Sequence, residues 1–91
     1  MKDRNRDEYD IYLILRSVTL AQRARAQLES GGILSRLQRS PGELSEHGCA
    51  YALRIRNREL PGAARILRQT GMEPDAAFRA LPGGGFERIA V

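Results

Sequence analysis

Two stretches of the chain repeat one pattern, and that repetition narrows the possible folds more than any other feature. Tyr12-Leu13-Ile14-Leu15-Arg16 leads into a helical pattern and a glycine stop; Tyr51-Ala52-Leu53-Arg54-Ile55 leads into another helical pattern and another glycine stop. A short run rich in aromatic and branched apolar residues is too short for a core helix and reads as a strand. The chain has 91 residues, which suits one domain built from the two units and not two domains. A domain of this size buries a limited core, so modest stability or help from a partner subunit is expected.

Met1 to Glu8 alternates charges without an apolar face and reads as a flexible tail, with residues 9–91 forming the domain. Tyr9 to Leu15 is the first, central strand. Ser17 is a good N-cap for the helix that follows, whose face is lined by Ala21, Ala24 and Leu28. Gly31 and Gly32 end it, because glycine adopts the left-handed cap at little cost. Ile33 to Gln38 is a weaker, more polar strand suited to a sheet edge. Ser40 to Gly48 is the longest irregular stretch. Cys49 to Ile55 alternates, with Cys49, Tyr51, Leu53 and Ile55 on one side and Ala50, Ala52 and Arg54 on the other. Asn57 is expected to cap a second helix with Pro61 in its first turn, a buried stripe of Leu60, Ala63, Ala64 and Leu67, and Gly71 as its stop. A short strand near Phe78 to Leu81, a Gly-rich hinge at 82–85 and an alternating segment from Phe86 to Val91 complete the chain; either piece, or both, could form the last strand. The predicted order is β-α-β-β-α-β. Two such split units make an α+β, ferredoxin-like sandwich: a four-stranded antiparallel sheet with both helices on one face.

Hydrophobic residues make up 42% of the chain and charged residues 29%, the balance of a globular protein rather than a disordered one. The net charge is +4, and Lys2 is the single lysine, so arginine supplies nearly all the positive charge. Acids are interspersed throughout, which fits a solubilising role better than a dedicated polyanion patch. One cysteine precludes an internal disulfide, and without CxxC or Cys/His spacing no structural zinc site is expected. No apolar stretch reaches membrane-spanning length and the first ten residues are charged, so the cytoplasm is the expected location.

In the predicted topology the first and third strands are central and antiparallel, so the start of the third lies beside the end of the first. Cys49 is then expected near Arg16, Ser17 and the first turn of the first helix, whose free amides carry partial positive charge. That field, with Arg16 and Arg39 or His47, favours thiolate over thiol. The opposing reading is a structural thiol, since cysteine is often buried and Cys49 shares the parity of the core residues. His47 is a candidate proton donor or base, or a solvated loop histidine. Ser45 suits a loop cap better than a nucleophile, because no histidine–carboxylate pair accompanies it. Gly83-Gly84-Gly85 lacks the Lys-Ser/Thr and helix of a phosphate loop. Arg54, Arg56 and Arg58 can make the open sheet face positive, but RNA-binding sheets need exposed aromatics there and only Tyr12 offers one. Nucleic acid is therefore disfavoured as a partner.

The string from Tyr12 through Arg16-Ser17-Val18-Thr19, an Ala-rich helix, Gly31-Gly32-Ile33, and then Pro41-Gly-Glu-Leu-Ser-Glu-His-Gly-Cys-Ala-Tyr-Ala-Leu-Arg54 resembles the selenium/sulfur carrier-like family of small, mainly bacterial domains. The resemblance covers roughly residues 9–78. It implies a carrier whose cysteine holds sulfur or selenium as a persulfide or selenosulfide, acting stoichiometrically rather than as an enzyme. Cys49 takes the functional position, Ser17 the start of the helix, and Leu44 and Ser45 the loop positions. Arg16, Ser17, Ser45, His47 and Gly48 are the expected supporting residues. No cofactor or metal is implied. The implied partners are a donor protein of the cysteine desulfurase type and an acceptor protein. The competing reading is a small interaction or ligand-sensing module, homodimeric through its sheet edges, with Cys49 structural.

Overall fold

The computed structural model describes residues 9–44 and 50–90. Its first strand, β1 (Ile11–Leu15), is buried at all five positions. A strand that alternates in and out of a core would show only half of that. The continuous apolar run has a structural cause: β1 pairs antiparallel with a neighbour on each side and both of its faces are covered. Ile11, Leu13 and Leu15 point to the helices, while Tyr12 and Ile14 point to the opposite face.

Helix α1 (Val18–Ser30) begins where predicted, with the Ser17 hydroxyl accepting from the Leu20 amide at 3.1 Å. Its buried residues are Ala21, Ala24 and Leu28, as the spacing requires. It ends in a Schellman turn: Gly32 takes a φ of 86°, its amide donates to Glu29 O, and the Ile33 amide donates to Leu28 O. Helix α2 (Leu60–Gln69) ends the same way, with Gly71 at φ 73° and the Met72 amide donating to Leu67 O. In each turn an apolar residue just past the helix, Ile33 or Met72, joins the core around the leucine three residues before the cap. The duplicated glycine stops are thus duplicated caps.

The sheet contains β2 (Arg36–Arg39), β3 (Tyr51–Ile55), β4 (Ala76–Ala80) and β5 (Phe86–Ile89) besides β1. Its order is β2-β3-β1-β4-β5, with every neighbouring pair antiparallel. The four-stranded expectation is corrected to five strands. Both C-terminal pieces pair, because the chain reverses tightly between them: the Leu81 amide donates to Gly85 O, and Gly84 and Gly85 occupy φ of 105° and 83°, where side-chain-bearing residues are strained.

Two other expectations shift. The second strand starts at Arg36 rather than Ile33, because Ile33 is drawn into the core by the α1 cap. Asn57 does not cap α2: it opens a 3-10 turn (Asn57–Glu59), and its Oδ1 accepts from Arg79 Nη2 at 3.0 Å instead.

One face of the sheet carries the main core, with Leu13, Leu53 and Ile55 fully buried against Ala21, Ala24, Leu28, Ala63 and Leu67. The other face carries a smaller cluster of Tyr12, Ile14, Leu44 and Ala52. Leu44 is the last residue of a 3-10 turn (Gly42–Leu44) that lays this one leucine over the face without helices.

Candidate functional site

One end of the sheet gathers the elements that the sequence associates with chemistry. Leu15 pairs with Tyr51, and Arg39 pairs with Tyr51 from the other side. The Ser40 amide donates to Ala50 O, and the Asp75 amide donates to Ile14 O. The end of β1, the end of β2, the starts of β3 and β4 and the start of α1 therefore meet here. The antiparallel juxtaposition of β1 and β3 on which the sequence argument turned is present.

Arg16 follows β1 directly. Its Nη2 lies 2.8 Å from Asp75 Oδ1, and its Nε also donates to Asp75 Oδ2, so the ion pair is bidentate. The Asp75 carboxylate, through that hydrogen bond and its charge, raises the guanidinium above its ordinary range. Arg16 is therefore a permanent cation, but one already shared with an acid. Ser17 is occupied as the α1 cap. Arg39 sits 6.0 Å over the Tyr51 ring, and the Ser40 hydroxyl donates to Pro41 O. Beside the ion pair, a cavity of about 320 Å³ opens between α2, the segment before β4, and β5, with Arg68, Glu73, Asp75 and Arg88 in its lining.

Ser45, His47, Gly48 and Cys49 lie outside the described residues, on the segment joining Leu44 to Ala50. Both flanking residues are fixed to one surface: Leu44 is buried in the smaller cluster and Ala50 packs against it. Among the described residues no group of three or more His, Cys, Asp or Glu side chains could hold a metal ion. No described helix is long and apolar enough to cross a membrane.

The face without helices holds residues that the sequence argument passed over. Phe78 and Phe86 join Tyr12 there, Phe86 meeting the Tyr12 ring edge-on at 5.1 Å and 85°. The signal was legible as parity: Phe86 and Arg88 alternate with Glu87 and Ile89, so pairing β5 to β4 sends one set to each face.

A family model described as "Putative Se/S carrier protein-like" matches residues 10–79, from the residue before β1 to within β4, most of the chain and including Cys49. No curated protein and no solved structure matches it. The match spans both strand–helix units and the loop between them in a single run. The chain belongs to the Se/S carrier protein-like family.

Proposed function

We propose that this domain carries sulfur or selenium on Cys49, on a ferredoxin-like β-α-β-β-α-β scaffold to which β5 is appended. The observation that carries the reading is the family match, whose range includes the chain's sole cysteine. The register supports it. The Leu15–Tyr51 pairing brings Ala50 to the end of β1 where α1 begins, and a peptide bond joins Cys49 to Ala50. The first amides of α1 lend positive potential to that end, which favours a thiolate, while Asp75 offsets most of the Arg16 charge.

In the proposed step the Cys49 thiolate attacks the outer sulfur of a donor cysteine persulfide. A new S–S bond forms on Cys49, the donor's S–S bond breaks, and the donor cysteine leaves as thiolate. The exchange is redox-neutral and needs no cofactor. An acceptor protein's thiolate then removes the carried atom in the same way; a selenosulfide follows the same course. Ser45, His47 and Gly48 precede Cys49 within four positions of the sequence, and in this reading they control approach to its thiol. The donor is a protein of the cysteine desulfurase type, and the exchange takes place in the cytoplasm.

Intact-protein mass spectrometry after incubation with a cysteine persulfide donor, or with a donor carrying selenium as the outer atom of a cysteine selenosulfide, tests this. The expected result is a one-atom adduct on the wild type and none on Cys49→Ser. A folded wild type that stays unmodified, while the unfolded chain reacts with the same donor, overturns the proposal.

A further inference from the structure

The open sheet face carries a row that crosses all five strands. Arg36 pairs with Arg54, Arg54 with Tyr12, Tyr12 with Phe78, and Phe78 with Arg88. Directly paired residues project to the same side of a sheet, so three arginines and two aromatics stand in one line. Adjacent strands are separated by about 4.8 Å, which makes the line roughly 19 Å long. Phe86 lies next to it against Tyr12.

The guanidinium groups already lie on rings. Arg54 is 4.8 Å over Tyr12, Arg88 is 6.0 Å over Phe78, and Arg36 is 4.3 Å over Tyr9. Arg56 also lies over Tyr9, at 5.0 Å, and its Nε is buried without a hydrogen-bond partner among the described residues. Arg54 is held in place by Tyr9 O at 2.9 Å and Gln38 Oε1 at 3.3 Å. Tyr12 is almost covered and acts as the support, whereas Phe78 and Phe86 are half-buried and Arg36 and Arg88 exposed. None of the strand residues on this face is acidic; Glu87, the acid of β5, projects to the other side with Arg79.

We infer that this face binds single-stranded nucleic acid. The occupant must supply negative charge at several points and flat, unpaired rings between them. A second copy of this face would set arginine against arginine. A duplex would offer the charge but keep its bases stacked out of reach. A single-stranded polynucleotide supplies both, phosphates to Arg36, Arg54 and Arg88 and base faces to Phe78, Phe86 and the guanidinium planes. The site rests on β5, which supplies Phe86 and Arg88 and lies beyond the residues the family model matches. It is a property of this chain and independent of the carrier reading.

The test is fluorescence anisotropy of a labelled oligouridylate of about 12 nucleotides, titrated with the full chain. Three phosphate contacts give a slope near −2 in log K against log salt, or about 20-fold weaker binding from about 50 to about 200 mM salt. The matching oligothymidylate is expected to bind comparably, because bases and phosphates are read rather than the 2′-hydroxyl. Arg36→Glu with Arg88→Glu, both at exposed positions, is expected to weaken binding at least about tenfold, with unchanged circular dichroism. Phe86→Leu keeps the apolar bulk but loses the stacking face, and is expected to weaken binding about fivefold or more. Salt-independent binding, full affinity in either variant, or equal affinity for a duplex of the same length overturns the inference.

Discussion

Leu44 is the point at which the fold and the candidate site are most directly coupled, and Leu44→Ala tests that coupling. The side chain is only 7% exposed and joins Tyr12, Ile14 and Ala52 on the face without helices. Truncating a buried leucine removes transfer free energy and leaves a cavity, together about 2–5 kcal/mol. Leu44 belongs at the low end, about 2 kcal/mol, because it lies at the margin of a single sheet face where neighbours and water can close the gap. Leu28, fully buried between α1 and the sheet, belongs nearer 4 kcal/mol. A domain of this length has roughly 5–14 kcal/mol to lose, so Leu44→Ala stays folded while Leu28→Ala loses a large fraction of its margin. At about 4–8 °C per kcal/mol, Leu44→Ala lowers Tm by about 8–16 °C. Thermal and urea unfolding followed by circular dichroism measure both variants. A Leu44→Ala loss below about 0.5 kcal/mol, or one equal to that of Leu28→Ala, refutes the reasoning that a second, thinner apolar layer holds the 3-10 turn down.

Two glycine-to-alanine changes should move stability in opposite directions. At Gly71 an added Cβ meets nothing within 4 Å but must adopt φ 73°, so the left-handed strain, less the gain from a stiffer unfolded chain, destabilises by about 1 kcal/mol. At Gly62, in the first turn of α2 with ordinary φ, the Cβ meets Ile33 Cδ1 at 3.4 Å and the change stabilises by about 0.5 kcal/mol; urea midpoints shifting the same way in both would contradict the backbone argument. Asp75→Asn frees Arg16, and the expected outcome is a lower Cys49 pKa in pH-dependent alkylation; an unchanged pKa removes Arg16 from the proposed site. The Arg16 shift is upward, so the stabilisation it reports is complete below the ordinary arginine range and lost only at higher pH. The contribution of this pair to a stability–pH profile between about pH 6 and about pH 9 should therefore be flat on the arginine side, and a slope there that disappears in Asp75→Asn would contradict the assignment.

The parts of the fold legible in the sequence were those with one dominant physical cause. Ser17 had a hydroxyl and a helical pattern after it, Ala21, Ala24 and Leu28 had spacing, and Gly32 and Gly71 stood where the caps need positive φ. Where two causes competed, the sequence reading lost. Asn57 has the chemistry of a cap, but Arg79, 22 positions away, presents a cation to the same oxygen, and only the tertiary fold reveals that competitor. Ile33 has strand propensity, but the α1 cap requires an apolar residue just past its glycine. β5 was undervalued because the Pro-Gly-Gly-Gly stretch suggested a hinge, whereas Gly84 and Gly85 supply the positive φ that lets Phe86 return along β4. Of the candidate site, the meeting of β1 and β3 was legible from topology; the Asp75 partner of Arg16 was not, since it enters from β4's start, 59 residues later in the chain.

The same sheet serves two different physical purposes because β1 is central and apolar on both sides. One face is covered by two helices and provides most of the stability. On the other, Leu44, the ring pair of Tyr12 and Phe86, and small residues such as Ala50, Ala76 and Ala80 pack with Ile14 and Ala52, beside a surface of arginine and half-buried rings. Covering it with a third helix would add apolar burial but would bury Arg36, Arg54 and Arg88 as unpaired charges, at several kcal/mol each. A face so charged has to remain open to water or meet an anion. The segment bearing Cys49 joins Leu44 to Ala50, and both of those residues lie on this face. Anything bound along the arginine row therefore lies on the same surface as the two residues that this segment joins.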